Sequence, residues 1–522
     1  MFRPAPDGGA VAGAMDSHPN DFQAGAVTSS YEPAFVPGPK ASLRRSAVSG
    51  AIWSFVESWA NQFLQLVIFI VLARYLQPHE FGLVATAMLF CQLFQNTFLA
   101  GINTPLIRMT SNARAVDNTG FTLAAGLGLV MVILLLGCAD GIERFYGMPG
   151  LASLIQILSI ASLVSSIAVA QQAWMIRNLQ FRPLALRTVL ATGVGGGVSI
   201  ALALNDFGAM SLAAYYIVSA VLGLAVLWAC SPWRPAFAWK RGPAREIVRY
   251  GRHVSATGAI NFVHENADIL VIGYVLGPAA AGIYAVGKRA FTAANAVLAG
   301  ALSRLAVPVF SQLSDDRVRL ASVFLRAVRA TSIVTTPAFV GLALLAPEFL
   351  MLFFGAHWLK ATVVMQALCL VGIIQSLGLY NHGLILALGK PNWQTGLTLL
   401  YAVVNLATFV LVAHFGIGAV AIAFAARAYI LYPLSIWLVM RLVPLSTSSY
   451  LKAVRAPVIS AAVMAIAVVL LRDLVHDWSI PIRILVLGGG GAAIYFLCML
   501  IIGRADLNEL RSLALSLKAG RQ

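Results

Sequence analysis

The chain has 522 residues, 59% of them hydrophobic and only 11% charged, where an ordinary soluble domain carries roughly 25% charged residues. So little charge cannot cover a water-facing surface. Apolar runs recur from Ser46 to Ile502, and at about 20 residues each is long enough to cross a hydrocarbon core as a helix. Unbroken runs exclude a porin-type barrel, whose strands alternate over about ten residues. The net charge of +16 does not indicate nucleic acid, because Lys and Arg sit beside the apolar runs on alternate loops, which is an orientation signal.

Residues 1 to about 42 are rich in Gly, Ala, Pro and Ser and are expected to form a disordered cytoplasmic tail. Helices are predicted over 49–73, 82–107, 119–141, 151–176, 184–204 and 209–230, followed by a basic, Pro-containing loop over about 231–253. Six more are predicted over 254–276, 281–308, 326–346, 360–386, 394–413 and 416–440, and a last pair over 453–471 and 481–502. Sorted by loop, 27 cations fall on one side and 5 on the other, with Lys288, Arg289, Arg304 and Arg427 inside helices or at their ends. Arg187 counts with the loop cations. The alternation predicts an even number of spans and two cytoplasmic termini. The expected fold is an all-α polytopic membrane protein with about fourteen transmembrane helices.

An internal repeat appears at an offset of 200 residues. LARYLQPHEFGLVA (72–85) lies over IGYVLGPAAAGIYA (272–285) without a gap, and Asn61/Asn261, Leu76/Leu276, Pro78/Pro278, Gly82/Gly282 and Ala85/Ala285 coincide. The expected organisation is an N-terminal six-helix half over 43–235, a C-terminal half over 236–445, and two extra helices with a cytoplasmic C-terminus over 446–522. Parallel halves of this kind are a transporter architecture with the substrate path between them.

Polar residues gather on four predicted helices. Ser54, Glu57, Ser58, Asn61 and Gln65 share one face of the first, and Gln92, Gln95, Asn96 and Asn103 one face of the second. Asn261, His264, Glu265 and Asp268 mark the seventh; Lys288, Thr292, Asn295 and Ser303 mark the eighth. Such faces either glue helices by hydrogen bonds or line a water-filled central cavity, acidic along helices 1 and 7 and basic along helix 8. Lys288 and Arg289 could line that cavity or snorkel to the surface, and an Asp268–Lys288 pair would neutralise both. Glu57 and Glu265 have no cation at matching depth, which makes them candidates for a protonatable coupling site.

No catalytic constellation is present. The five cysteines lie inside apolar runs with no C-x-x-C spacing, so neither disulfides nor a metal site is expected. Asp473, His476 and Asp477 are isolated in a loop. Gly488 to Gly491 lie within a helix and read as a close-packing face rather than a phosphate loop. No cofactor and no enzymatic activity are expected.

Four stretches resemble the bacterial polysaccharide transporters of the multidrug/oligosaccharidyl-lipid/polysaccharide exporter superfamily. They are LARYLQPHEFGLVA with Arg74, Leu76, Pro78, Phe81 and Gly82; MIRNLQFRPLAL (175–186) with Arg177 and Phe181; the run 248–290 with Gly251, Asn266, Asp268, Gly273, Gly277, Gly282 and Tyr284; and LAVPVFSQL (305–313). Tyr274 stands where members often carry Arg. The resemblance implies a flippase that moves undecaprenyl-pyrophosphate-linked oligosaccharide from the cytoplasmic to the periplasmic leaflet of the inner membrane, coupled to H+ or Na+, for exopolysaccharide, capsule or O-antigen assembly. It also implies membrane lipids and the pathway's polymerase and chain-length proteins as neighbours. On that reading Lys288, Arg289, Arg427 and Asn295 bind substrate. Glu57, Glu265 or Asp268 bind the coupling cation, and Asn61, Gln65, Gln92, Asn96 and Asn261 line the lumen. The alternatives are a multidrug exporter or peptidoglycan-precursor flippase of the same superfamily, a membrane-embedded polysaccharide polymerase, and a non-transporting scaffold.

Overall fold

The computed structural model describes residues 40–109, 113–298, 309–504 and 506, and every regular element among them is helical. The chain divides into a short unit ending at Arg45 and the unit Ser46–Gln522, which holds everything discussed below. Of the predicted tail, residues 1–39 lie outside the described residues, and Lys40 already opens a helix. Residues 299–308, with Ser303 and Arg304, also lie outside them, as does the side chain of Ser54.

The helices are α1 (Lys40–Tyr75), α2 (Pro78–Arg108), α3 (Ala113–Tyr146), α4 (Leu151–Arg177), α5 (Phe181–Ala203), α6 (Ala209–Cys230), α7 (241–276) and α8 (278–298). After them come α9 (Arg317–Leu344), α10 (Thr362–Ala387), α11 (Pro391–Val412), α12 (Ile417–Leu442), α13 (Thr447–Leu474) and α14 (Ile480–Ile502). A short helix, Ala346–Phe353, and a 3-10 turn, Ala356–Ala361, join α9 to α10. Among the described residues twelve runs are long and apolar enough to cross a membrane, with Arg241–Leu298 counted as one and α1 not included.

That 58-residue run is two helices. Straight, it would extend about 87 Å, nearly three hydrocarbon cores. Gly277 breaks it at φ +80°, where a Cβ is strained, and Pro278 offers no N–H to continue the ladder. The chain folds back there, so that Lys288 of α8 bonds Asp268 of α7. Between α1 and α2 the equivalent turn falls at Gln77–Pro78. Pro78 takes the first helical position, and the Gln77 N–H donates to Glu80 Oε2 at 2.7 Å.

The two turns meet. A Cβ on Gly82 would fall on the Pro278 carbonyl, and one on Gly282 would fall on the Pro78 carbonyl. The P-x-x-x-G repeat is therefore one reciprocal backbone contact between α2 and α8. Farther along, Gly101 lies against the Gly251 carbonyl and Gly258 against that of Asn96, so α2 packs on both arms of the α7–α8 hairpin. Beside the Gly258 contact α2 takes a π-helical turn over Gln95–Leu99, a distortion that recurs at functional sites.

The Pro78/Pro278 end is closed. Arg74 donates to the carbonyls of Leu352 and Phe353, and Trp358 Nε1 donates to Ala73 O at 2.7 Å. Phe69, Phe81, Phe354 and Trp358 form edge-on ring contacts at centroid distances of 5.2–5.9 Å. Tyr274 stacks on Phe145 at 4.7 Å, so the position where Arg is common holds an aromatic contact here. At the other end Arg177 bonds the Leu106 and Met109 carbonyls and pairs with Asp117, capping α2. Helices α13 and α14 pack on α9 through Ile333, Met464, Val468, Leu487 and Tyr495, with Gly491 against Val468 and Met464.

Candidate functional site: two chambers sharing a wall

Helices α7 and α8 separate two internal cavities. The first, about 690 Å³, is lined by α1, α2, α4, α5, α6 and one side of the hairpin; the second, about 680 Å³, by the hairpin, α10, α11 and α12. Asn266, Lys288 and Thr292 line both. A third cavity, about 880 Å³, lies toward Tyr250 and His253 and shares Asn261 and Glu265 with the second.

A hydrogen-bonded chain crosses the first chamber from α8 to α5. Arg289 donates to Gln65 Oε1, Gln65 Nε2 donates to Asn61 Oδ1 at 3.3 Å, and Thr192 Oγ1 donates to the same oxygen at 2.8 Å. The Arg289 guanidinium also lies 5.8 Å from the Phe69 ring centre. Gln92 lines this chamber as well. Its described lining includes Arg187, Lys288 and Arg289 and no carboxylate. Glu57, expected on the lumen, is not itself among the lining residues but bonds one that is. The Glu57 carboxylate accepts from Thr188 Oγ1 at 2.6 Å and has the Arg187 guanidinium as a neighbouring charge. The expectation that Glu57 lacks a cation at its depth is thus corrected: Arg187, counted with the loop cations although the predicted helix 184–204 contains it, lies within α5 beside Glu57.

The second chamber is mixed in sign. Lys288 Nζ holds both Asp268 oxygens, at 2.9 and 2.8 Å, and also the Glu265 carbonyl. The neutralising pair that the sequence allowed is formed, and Lys288 faces the cavities. The Glu265 carboxylate lines this chamber and the third without an ion pair to a described residue. Arg427 is only 9% exposed, lies 5.6 and 4.8 Å from the ring centres of Tyr401 and Phe424, and has its Nε unpartnered. Asn295 lines the chamber with its Oδ1 also unpartnered. Buried groups in this condition are costly unless something else completes them.

Asn96 reaches only the third cavity, and Asn261 reaches the second and third. The polar faces on helices 1, 2, 7 and 8 therefore converge, but they do not make the lining alone. Thr188, Thr192, Tyr215 and Tyr216 from α5 and α6 join the first chamber, and Gln375, Asn381, His382, Gln394 and Tyr432 from α10 to α12 the second. Single amides inside otherwise apolar helices, such as Asn381 and Gln375, were the available signal. Among the described residues no group of His, Cys, Asp and Glu could hold a metal ion.

An all-helical polytopic chain whose polar side chains converge on chambers between helices is a membrane protein of transporter type. It belongs to the polysaccharide biosynthesis protein family, whose sequence model matches residues 71–363. Similar proteins include the lipopolysaccharide biosynthesis protein WzxC of Escherichia coli, 28% identical over 65% of this chain and 69% of that one. The succinoglycan biosynthesis transport protein ExoT of Rhizobium meliloti is 27% identical over 61% and 64%. The teichuronic acid biosynthesis protein TuaB of Bacillus subtilis is 24% identical over 81% and 89%. Among solved structures, the lipid II flippase MurJ in an inward closed conformation has a TM-score of 0.69 at 14% identity, over 88% of this chain and all of that one. An inward-facing multidrug transporter of the MATE family has 0.60 at 16% identity, over 73% and 94%. At those identities the likeness is one of fold.

Proposed function

We propose that this protein is a flippase that carries undecaprenyl-pyrophosphate-linked oligosaccharide repeat units across the bacterial inner membrane, from cytoplasmic to periplasmic leaflet, by alternating access. In this reading all fourteen long helices cross the bilayer, as two six-helix halves plus the α13–α14 pair, and both termini are cytoplasmic. The closed Pro78/Pro278 end then faces the periplasm. The carrying observation is the first chamber, with three cations and no carboxylate in its described lining. A pyrophosphate needs charge-assisted donors in a site that excludes competing anions, and Arg187 and Arg289 supply them, Lys288 being already paired with Asp268. Arg427 and Asn295 take acidic or hydroxyl-bearing sugar groups in the second chamber. Glu265, carrying no ion pair with a described residue, takes the coupling H+ or Na+, with Asp268 and Glu57 held as the less available carboxylates. Family membership and the names of the relatives support the substrate class.

The test is transport of a fluorescent lipid-linked oligosaccharide in proteoliposomes, with an imposed H+ or Na+ gradient. Uptake of this lipid and not of lipid II or a hydrophobic drug is the expected result. Uptake of lipid II instead would make the protein a peptidoglycan-precursor flippase, and drug movement alone would make it a multidrug exporter. No movement of any lipid, with native polysaccharide still exported after depletion, would leave the scaffold reading.

A further inference from the structure

The last carbonyls of a helix have no partner within it. At the closed end two helix termini solve this for each other. Arg74, in the last turn of α1, donates to the Leu352 and Phe353 carbonyls at the end of the short helix. In return Trp358 Nε1 and His357 Nε2 reach the Ala73 carbonyl of α1, at 2.7 and 3.3 Å. These bonds are the seam that must part when this end opens.

The short helix has 8 residues, too few to hold its shape unaided. Its first turn carries Glu348, whose side chain is 3% exposed. The carboxylate accepts twice from Arg472 Nη2, at 2.6 and 2.8 Å, and once from Arg483 Nη2 at 2.8 Å. Arg472 closes α13 and Arg483 opens α14. That pair is itself fixed to α9 by the Ile333 cluster and by Tyr495 Oη donating to Ile333 O at 2.8 Å. The short helix is thus gripped at its start by the two C-terminal helices, while its end meets α1.

We infer that the α13–α14 pair holds the transporter's closed end through Glu348, a positioning residue that fixes the short helix so that its last carbonyls and Trp358 meet α1. Without the carboxylate two guanidiniums face each other, the helix loses its fixed point, and the seam opens more often. The inference rests on the alternating-access reading in one respect, that this seam is one that opens.

The experiment is a spin-label distance between Tyr75 and Leu359, exposed positions on either side of the seam. It uses the full chain in nanodiscs with the five native cysteines replaced. Wild type is expected to give a dominant short distance with a minor longer one. Glu348→Gln is expected to raise the longer-distance population at least threefold, while Glu348→Asp keeps the wild-type profile. A Glu348→Gln profile identical to wild type overturns the inference, even if that variant melts at lower temperature, since the residue would then only stabilise the fold. Should Glu348→Gln fail to fold, the triple variant E348L/R472L/R483L removes the clamp without stranding a charge, and an unchanged short distance there overturns it equally. No substrate is needed, so a protein that moves no glycan still answers the question.

Discussion

The two chambers share a wall yet differ in sign, and the cause is which partners their carboxylates hold. Glu57 sits on the helix that walls the first chamber, but it is spent on Thr188 and Arg187, leaving cations to line the cavity. In the second chamber Asp268 and Glu265 remain in the lining, and Lys288 is neutralised from that side. The same lysine therefore brings a free charge to neither chamber. A cavity's character is set by which ionisable groups are already satisfied, and a count of charges along its helices misses this.

The largest effect should come from stripping the first chamber of its remaining cations. In the double variant R187Q/R289Q two charge-assisted contacts are lost, each worth about 1.5 kcal/mol or more. Transport should fall roughly a hundredfold, with the circular-dichroism spectrum unchanged. Transport at wild-type rate would erase the functional distinction between the chambers. Next is the shared wall. Asp268→Asn leaves Lys288 unpaired and should destabilise the protein by about 2 kcal/mol, less than the 3–5 of a fully buried pair, because the lysine side chain keeps 25% of its surface. Adding Lys288→Met should recover part of that loss in a thermal melt. A double variant worse than the single would mean that the Lys288 bond to the Glu265 carbonyl outweighs the cost of its unpaired charge.

Much of this was legible in the sequence, and the reasons are physical. Bilayer thickness fixes run lengths, so the helices could be placed from apolar runs alone. The Pro78/Pro278 and Gly82/Gly282 matches marked a place where backbones touch, which side-chain similarity would not reveal. Less legible was anything that depends on helix rotation. Arg187 sorts with the loop cations although the predicted helix 184–204 contains it, and only the structure sets it beside Glu57, whose carboxylate is held by Thr188. Arg472 and Arg483 likewise read as loop charges, since nothing local announces that Glu348 lies between them.

A third prediction separates stability from transport in the second chamber. Arg427 is a buried cation with no ion pair to a described residue and an unpartnered Nε. Arg427→Gln should raise the melting free energy by up to about 1 kcal/mol, by removing an uncompensated charge. Transport should fall about tenfold. Loss of both would assign Arg427 to the fold, through its contacts with Tyr401 and Phe424, and remove it from the substrate path.

The smallest effect tests whether the bond chain in the first chamber orients Arg289. Thr192→Val keeps the volume and deletes one hydroxyl, the donor to Asn61 Oδ1. A single neutral hydrogen bond is worth about 1 kcal/mol or less, so stability should change little. Asn61 and Gln65 would then be free to rotate, and Gln65 would hold the Arg289 guanidinium less firmly. The expected signature is a KM for the lipid-linked substrate raised about threefold at unchanged maximal rate, with no further loss in T192V/R289Q beyond R289Q. Additive losses in that double variant would show Thr192 acting on something other than Arg289, and the chain from α5 to α8 would be packing alone.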